Sequence, residues 1–173
     1  MKKIVTISVS LVISSLAALG QAPKNHVFIN KAIPKVNVQD NKRNNVELKS
    51  LHTPGVVTIV SVWNTPCLPC KQELNAVKGK IADWKKEAKI DYKIISNDDN
   101  RSVSKAIAYV VSQGWPFEDF YDTNSDLQRQ LSFQEVPYTF IINKDGRIVY
   151  SHKGYKPGNE DEIFQIAKNL ANK

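Results

Sequence analysis

The sequence predicts an α/β sandwich with a mixed sheet, and three features carry that expectation. Val56 to Trp63 is an apolar run bounded by Gly55 and Pro66, as in a strand buried on both faces beneath helices. Directly behind it, Leu74, Val77, Ile81, Trp84 and Ala88 recur at spacings of three and four, the mark of one helical face. Near the other end, Val136–Ile142 and Arg147–Tyr150 flank Asn143-Lys144-Asp145-Gly146, a strong hairpin signal.

The remaining elements follow in chain order. Met1-Lys2-Lys3 is a basic lead, Ile4–Leu19 an apolar stretch, and Ala18-Leu19-Gly20 places small residues where a signal peptidase cuts. Residues 1–20 are therefore expected to be a signal peptide, cleaved after Gly20; the alternative is an uncleaved membrane anchor, for which the stretch is short. Residues 21–33 are expected to be a polar, mobile lead-in, and residues 34–173 the folded domain. Pro34–Asp40 and Val46–Leu48 around an Asn-rich turn suggest a hairpin. The long helix behind Cys67 should run to about Lys89. A strand at Asp91–Ser96 and a polar loop Asn97–Asn100 come next, then a helix from Ser102 to Gln113 stopped by Gly114 and Pro116. Phe117–Tyr121 is a short strand and Asn124–Leu131 a short helix. Asn159 with Glu162 three residues on starts a last helix, whose buried face is Ile163, Ile166, Ala167 and Leu170.

Composition narrows the function classes. The chain has 173 residues and a formal charge of +7; loss of Lys2 and Lys3 leaves 22 basic against 17 acidic side chains, or +5. The lysines are dispersed and no nucleic-acid motif accompanies them, so a solvated surface is expected and no nucleic-acid partner.

The chemistry concentrates at Cys67-Leu68-Pro69-Cys70, the only cysteines of the chain. They stand where the buried strand hands over to a helix. Unpaired N–H groups and the helix dipole at that end favour a negative charge, and the thiolate is the reactive form of cysteine. A zinc site would need two further ligands, whereas His26, His52 and His152 are scattered. A c-type haem motif would carry His at position 71, where Lys71 stands. A purely structural disulfide across two residues would close too small a loop to stabilise much. Dithiol redox chemistry is the expectation, with no cofactor and no metal.

Trp63, Cys67-Leu68-Pro69-Cys70-Lys71-x-Glu73, Val136-Pro137-x-Thr139-Phe140 and Asn143-Lys144-Asp145-Gly146 together resemble the thioredoxin superfamily. The resemblance covers roughly Pro34 to Asn172. Its N-terminal hairpin and the αβ insert at Ser102–Leu131 are similar to the exported TlpA/ResA-like branch of thiol–disulfide oxidoreductases. It implies Cys67 as attacking thiol, Cys70 as resolving thiol and Pro137 as a cis-proline facing the disulfide. It also implies a substrate-binding surface at Trp63, Val136 and Pro137, with Val136 pairing its main chain to the substrate. Three positions depart from the family pattern. Pro66 replaces the usual Trp before the first cysteine. Asn75 stands where many relatives have a helix-kinking proline, so a straighter helix is expected. Ser61 replaces the buried acid six residues before the first cysteine. Glu73, three residues after Cys70 on the same helix, is the candidate to take over that acid's part; the bland alternative is a first-turn acid facing water.

The expected function is reduction of disulfides in periplasmic or envelope proteins, with apocytochrome c among the conceivable substrates. The protein would act as a monomer recharged by a membrane thiol carrier of the DsbD/CcdA type, which the resemblance implies. Leu68-Pro69 brings no cation to the thiolate. A strong oxidant needs one, with a thiol pKa of about 3.5 against about 7 for a reductant and a potential near −120 mV against roughly −270 mV. The alternatives are an exported oxidant or isomerase, a peroxidase, and a non-catalytic binding module.

Overall fold

The computed structural model describes residues 26–173; the expected signal peptide lies outside the described residues. A single eight-stranded sheet has the order β1-β8-β7-β4-β5-β6-β2-β3. Its centre is β4 (Val57–Trp63), parallel to β5 (Ile90–Ser96) and antiparallel to β7 (Tyr138–Ile142). β5 is followed in parallel by β6 (Glu118–Tyr121), and β6 by the hairpin β2 (Asn37–Asp40) and β3 (Asn45–Glu47), as the Asn-rich turn suggests. On the other flank, β7 and β8 (Arg147–Lys153) form the expected hairpin around Asn143–Gly146.

Every residue of β4 is buried, so its alternate side chains feed two cores. Val57, Ile59 and Trp63 pack beneath α1 (Leu68–Lys78), α2 (Ile81–Glu87), α3 (Val103–Gln113) and α5 (Asn159–Ala171). Val60 and Val62 meet Leu48 and Leu51 of a 3₁₀ turn, together with Leu127 and Leu131 of α4 (Asp126–Leu131). Among the described residues, no helix is long and apolar enough to cross a membrane.

Two expectations need correction. The mobile lead-in is, over His26–Ala32, a strand, β1, paired antiparallel with β8 from His26↔His152 to Ala32↔Arg147. Backbone pairing gives this segment its order although most of its side chains are exposed, a gain that hydropathy does not reveal. The long helix is also not continuous. It ends at Lys78, and α2 begins at Ile81 after a turn in which Lys80 N–H donates to Val77 O at 2.9 Å. Gly79 is a poor helix former, and the break lets Lys80 Nζ reach Glu160 at 3.0 Å and Asp161 at 2.7 Å, both in the first turn of α5. Asn75 lies within α1, and its side chain accepts from Trp115 Nε1 at 2.8 Å.

Two glycines separate backbone strain from crowding. Gly146 (φ +76°) closes the β7–β8 turn, and a Cβ there would stand 3.2 Å from the His52 ring; Gly154 (φ +72°) has open space around it. Gly154→Ala should cost about 1 kcal/mol in denaturant unfolding, the left-handed strain alone. Gly146→Ala should cost measurably more.

Candidate functional site

The site is built where β4 ends. After Trp63 the chain turns through Asn64-Thr65-Pro66, and Cys67 becomes the N-cap of α1, with extended backbone (φ −76°, ψ 102°). Asp98, buried in the loop after β5, holds that turn. It accepts from Thr65 N–H at 2.8 Å, from the Thr65 hydroxyl, and from Ser96 Oγ at 2.8 Å. Register explains the reach, because Trp63 and Ser96 are paired at the C-terminal ends of parallel strands. Asp98 stands in the expected polar loop Asn97–Asn100 as one of two adjacent acids, with nothing in the sequence to say which turns inward.

Cys67 and Cys70 form a disulfide with Cα atoms 5.3 Å apart. Cys70 is fully buried while Cys67 is half-buried, so a partner can approach only the first sulfur. Cys70 N–H points at Cys67 Sγ from 3.1 Å, the hydrogen bond of a helix N-cap. Pro69, the second residue of the helix, has no N–H to leave unsatisfied. Once reduced, Cys67 therefore carries its charge where a backbone donor and the helix dipole already face it.

The peptide bond Val136–Pro137 is cis, and Cys67 Sγ lies 3.6 Å from Val136 O. Pro137 is buried and Val136 half-buried beside the disulfide, which brings both predicted residues to the site. Trp63 is not at the surface. It is fully buried, edge-on to Trp115 at 5.1 Å and 5.9 Å from Tyr109. This corrects its expected substrate contact. Strand parity is the reason: residues 57, 59, 61 and 63 all face inward beneath the helices, so Trp63 supports the site from below.

Glu73 departs most from its bland reading. It lies beyond the first turn of α1 and is only 2% exposed. Three strands each send a hydroxyl to its Oε1: Ser61 of β4 at 3.0 Å, Thr139 of β7 at 3.0 Å and Tyr92 of β5 at 3.3 Å. Ser61 and Thr139 are direct register partners, and Tyr92 pairs with Ile59 two residues before Ser61. The small serine leaves room for an acid lowered from the helix above, so a buried carboxyl occupies the neighbourhood of Ser61 although no acid stands in the strand. Burial is the main reason its pKa is pushed up to about 7, against the opposing effect of the three hydroxyls. The sequence held a faint signal of this site. Ser61, Tyr92 and Thr139 are polar-tipped residues at inward positions of otherwise apolar strands.

Among the described residues, no cluster of three or more potential metal ligands exists. The arrangement offers a partly accessible sulfur polarised by a helix end, a buried second sulfur, and an acid that titrates near neutrality.

Similarity to known proteins agrees with that chemistry. The model of the AhpC/TSA family matches residues 29–151. The chain is 24% identical over 155 residues to the thiol-disulfide oxidoreductase ResA of Bacillus subtilis, covering 86% of this chain and 84% of that protein. It is 29% identical over 142 residues to the thiol:disulfide interchange protein DsbE of Escherichia coli, covering 79% and 72%. Among solved structures, a thioredoxin-like protein of Porphyromonas gingivalis superposes with a TM-score of 0.73 at 30% identity, covering 83% of this chain and 95% of that one.

The titration of Glu73 should be visible in stability. Its folded pKa of about 7 lies above the ordinary 4.5, so between those values the folded state binds the extra proton. Stability from this group is complete below pH 4.5 and is lost as pH rises through 7. The loss is on the order of 3 kcal/mol. Glu73→Gln keeps an oxygen for the three hydroxyls and removes the titration. Chemical denaturation of the oxidised protein across this range should show wild type losing stability relative to the variant. Parallel pH profiles would mean that Glu73 is not the titrating group.

Proposed function

The chain belongs to the AhpC/TSA family, with a thioredoxin-like fold, and from that premise we propose that it is an exported thiol–disulfide oxidoreductase that reduces disulfides of envelope proteins. The observation that carries the reading is the Cys67–Cys70 disulfide at a helix N-cap, one sulfur accessible and the other buried, beside Val136-Pro137. Reduced Cys67 attacks one sulfur of a partner disulfide as a thiolate. The partner's S–S bond breaks, a mixed disulfide forms, and the first partner sulfur leaves as a thiolate. Cys70 then attacks Cys67, and the second partner sulfur departs. Two electrons pass from the Cys67–Cys70 dithiol to the partner, and the protein is left in the oxidised form. A membrane thiol carrier of the DsbD/CcdA type would return the electrons.

In this reading Val136 lends its main chain to the substrate segment, and Pro137 keeps that edge open beside Cys67. Glu73 takes the proton that Cys70 must lose before it can attack. An acid with a pKa near 7 both accepts and returns a proton at working pH. Its charged form also opposes thiolate formation close by, holding the dithiol back until a partner docks. Export rests on the expected signal segment, and the named relatives ResA and DsbE support thiol–disulfide exchange as the chemistry. Cytochrome c maturation is the narrower form of the same proposal. A peroxidase is disfavoured by the approach to Cys67: a Pro-x-x-x-Thr-x-x-Cys motif ending there would need Pro at 60 and Thr at 64, where Val60 and Asn64 stand.

Reduced protein supplied with dithiothreitol should reduce insulin. Cys67→Ser should abolish this, and Cys70→Ser should accumulate mixed disulfide without turning over. Normal turnover by Cys70→Ser would rule out the two-thiol mechanism. Equilibration with glutathione, followed by the fluorescence of Trp63 beneath the pair, should place the potential nearer roughly −270 mV than −120 mV. A value near the latter would reassign the protein as an oxidant. Glu73→Gln should lower the thiol pKa values and slow mixed-disulfide resolution; neither change would leave Glu73 a purely structural acid.

A further inference from the structure

A groove of about 350 Å³ opens beside the disulfide, between the Cys67 loop and α3. Pro66 forms one wall and Tyr109 of α3 the other, and both Lys71 and Lys105 line it. Lys71 follows the buried cysteine directly, and its ammonium sits 4.4 Å from the centroid of the Tyr109 ring, a cation–π contact that holds it at the groove. Tyr109 is braced in turn by Trp63 and Trp115 at 5.9 and 5.6 Å. Among the described residues, neither lysine takes part in an ion pair. The acid of the groove, Asp98, is buried, with its oxygens taken by Thr65 and Ser96. The surface offered to a visitor is therefore two ammonium groups, a tyrosine ring and a proline.

Proline and ring supply flat apolar walls that suit an extended polypeptide, and the two cations select its charge. On the thiol–disulfide exchange reading above, we propose that this groove docks an acidic segment of the disulfide-bearing substrate, with Lys71 and Lys105 meeting carboxylates a few residues from the attacked cysteine. Pro66, exposed at the wall of the groove, is a compact ring with no N–H of its own, and it leaves the mouth open to the segment. Val136 and the groove then grip the substrate at separate places around Cys67: the first by main chain, without regard to sequence, the second by charge. Selection among disulfide-bearing partners falls to the groove.

The test uses the reduced full chain and three peptide disulfides that differ only in the residues flanking the cysteine, with Glu, Gln or Lys there. At low salt the second-order rate constant should be highest for the Glu peptide and lowest for the Lys peptide, a ratio of about tenfold for two rim contacts. The ratio should collapse toward one at about 0.5 M salt, where screening acts within a few ångströms, and in the Lys71→Gln/Lys105→Gln double variant. Comparing peptides on one protein cancels any effect of the lysines on Cys67 reactivity itself. No preference for Glu in wild type, or an unchanged ratio in the double variant, would overturn the docking site. Failure to reduce any of the three peptides would instead sink the exchange reading on which it rests.

Discussion

The complete burial of β4 is the constraint on which the site depends. A strand with no exposed residue cannot slide or twist without dragging two cores with it. Its end therefore delivers Cys67 to one place, and its register with β5 and β7 puts Asp98, Thr139 and Pro137 around that place. The buried face beneath α1 accepts a carboxyl because β4 offers a serine there instead of a larger side chain. Each functional group at the site is positioned by this one strand or by a direct neighbour of it.

Two electrostatic influences act on the cysteines in opposite senses. The start of α1, with Cys70 N–H at 3.1 Å from Cys67 Sγ, favours a thiolate. On the proposed reading a charged Glu73 disfavours one, and burial brings its own titration up to about 7. The first influence is fixed in the backbone; the second depends on pH and on whatever covers the site. A dithiol that is held back until a partner docks is served by that combination. The three hydroxyls lower the cost of ionising Glu73, since each supplies an O–H to the Oε1 of this buried side chain.

The two flanks of Cys67 differ in kind. Val136 presents main chain beside Cys67, with its carbonyl oxygen 3.6 Å from Sγ, and main-chain groups are the same in any extended segment. The groove of Lys71, Lys105 and Tyr109 presents side chains, and those of a segment differ with its sequence. Side chains on a helix surface change without disturbing the strand beneath them, so a conserved reaction and a variable partner preference are compatible on one scaffold.

The chemistry is legible in the chain alone. The only two cysteines, two residues apart at a strand-to-helix junction, allow little besides dithiol chemistry, and the element order follows from local periodicity and turn residues. What local pattern could not supply was anything decided by pairing or parity across the sheet. β1 forms because β8 offers it an edge, not because His26–Ala32 is apolar. The break at Gly79 follows from propensity together with the pull of α5 on Lys80. Trp63 turned inward by strand alternation, and Asp98 was singled out from its neighbours by the pairing of Trp63 with Ser96. Glu73 shows the division most clearly. Its spacing from Cys70 was legible at once, but the hydroxyls that make it a buried acid come from residues 61, 92 and 139, which only the register of three strands brings to one oxygen.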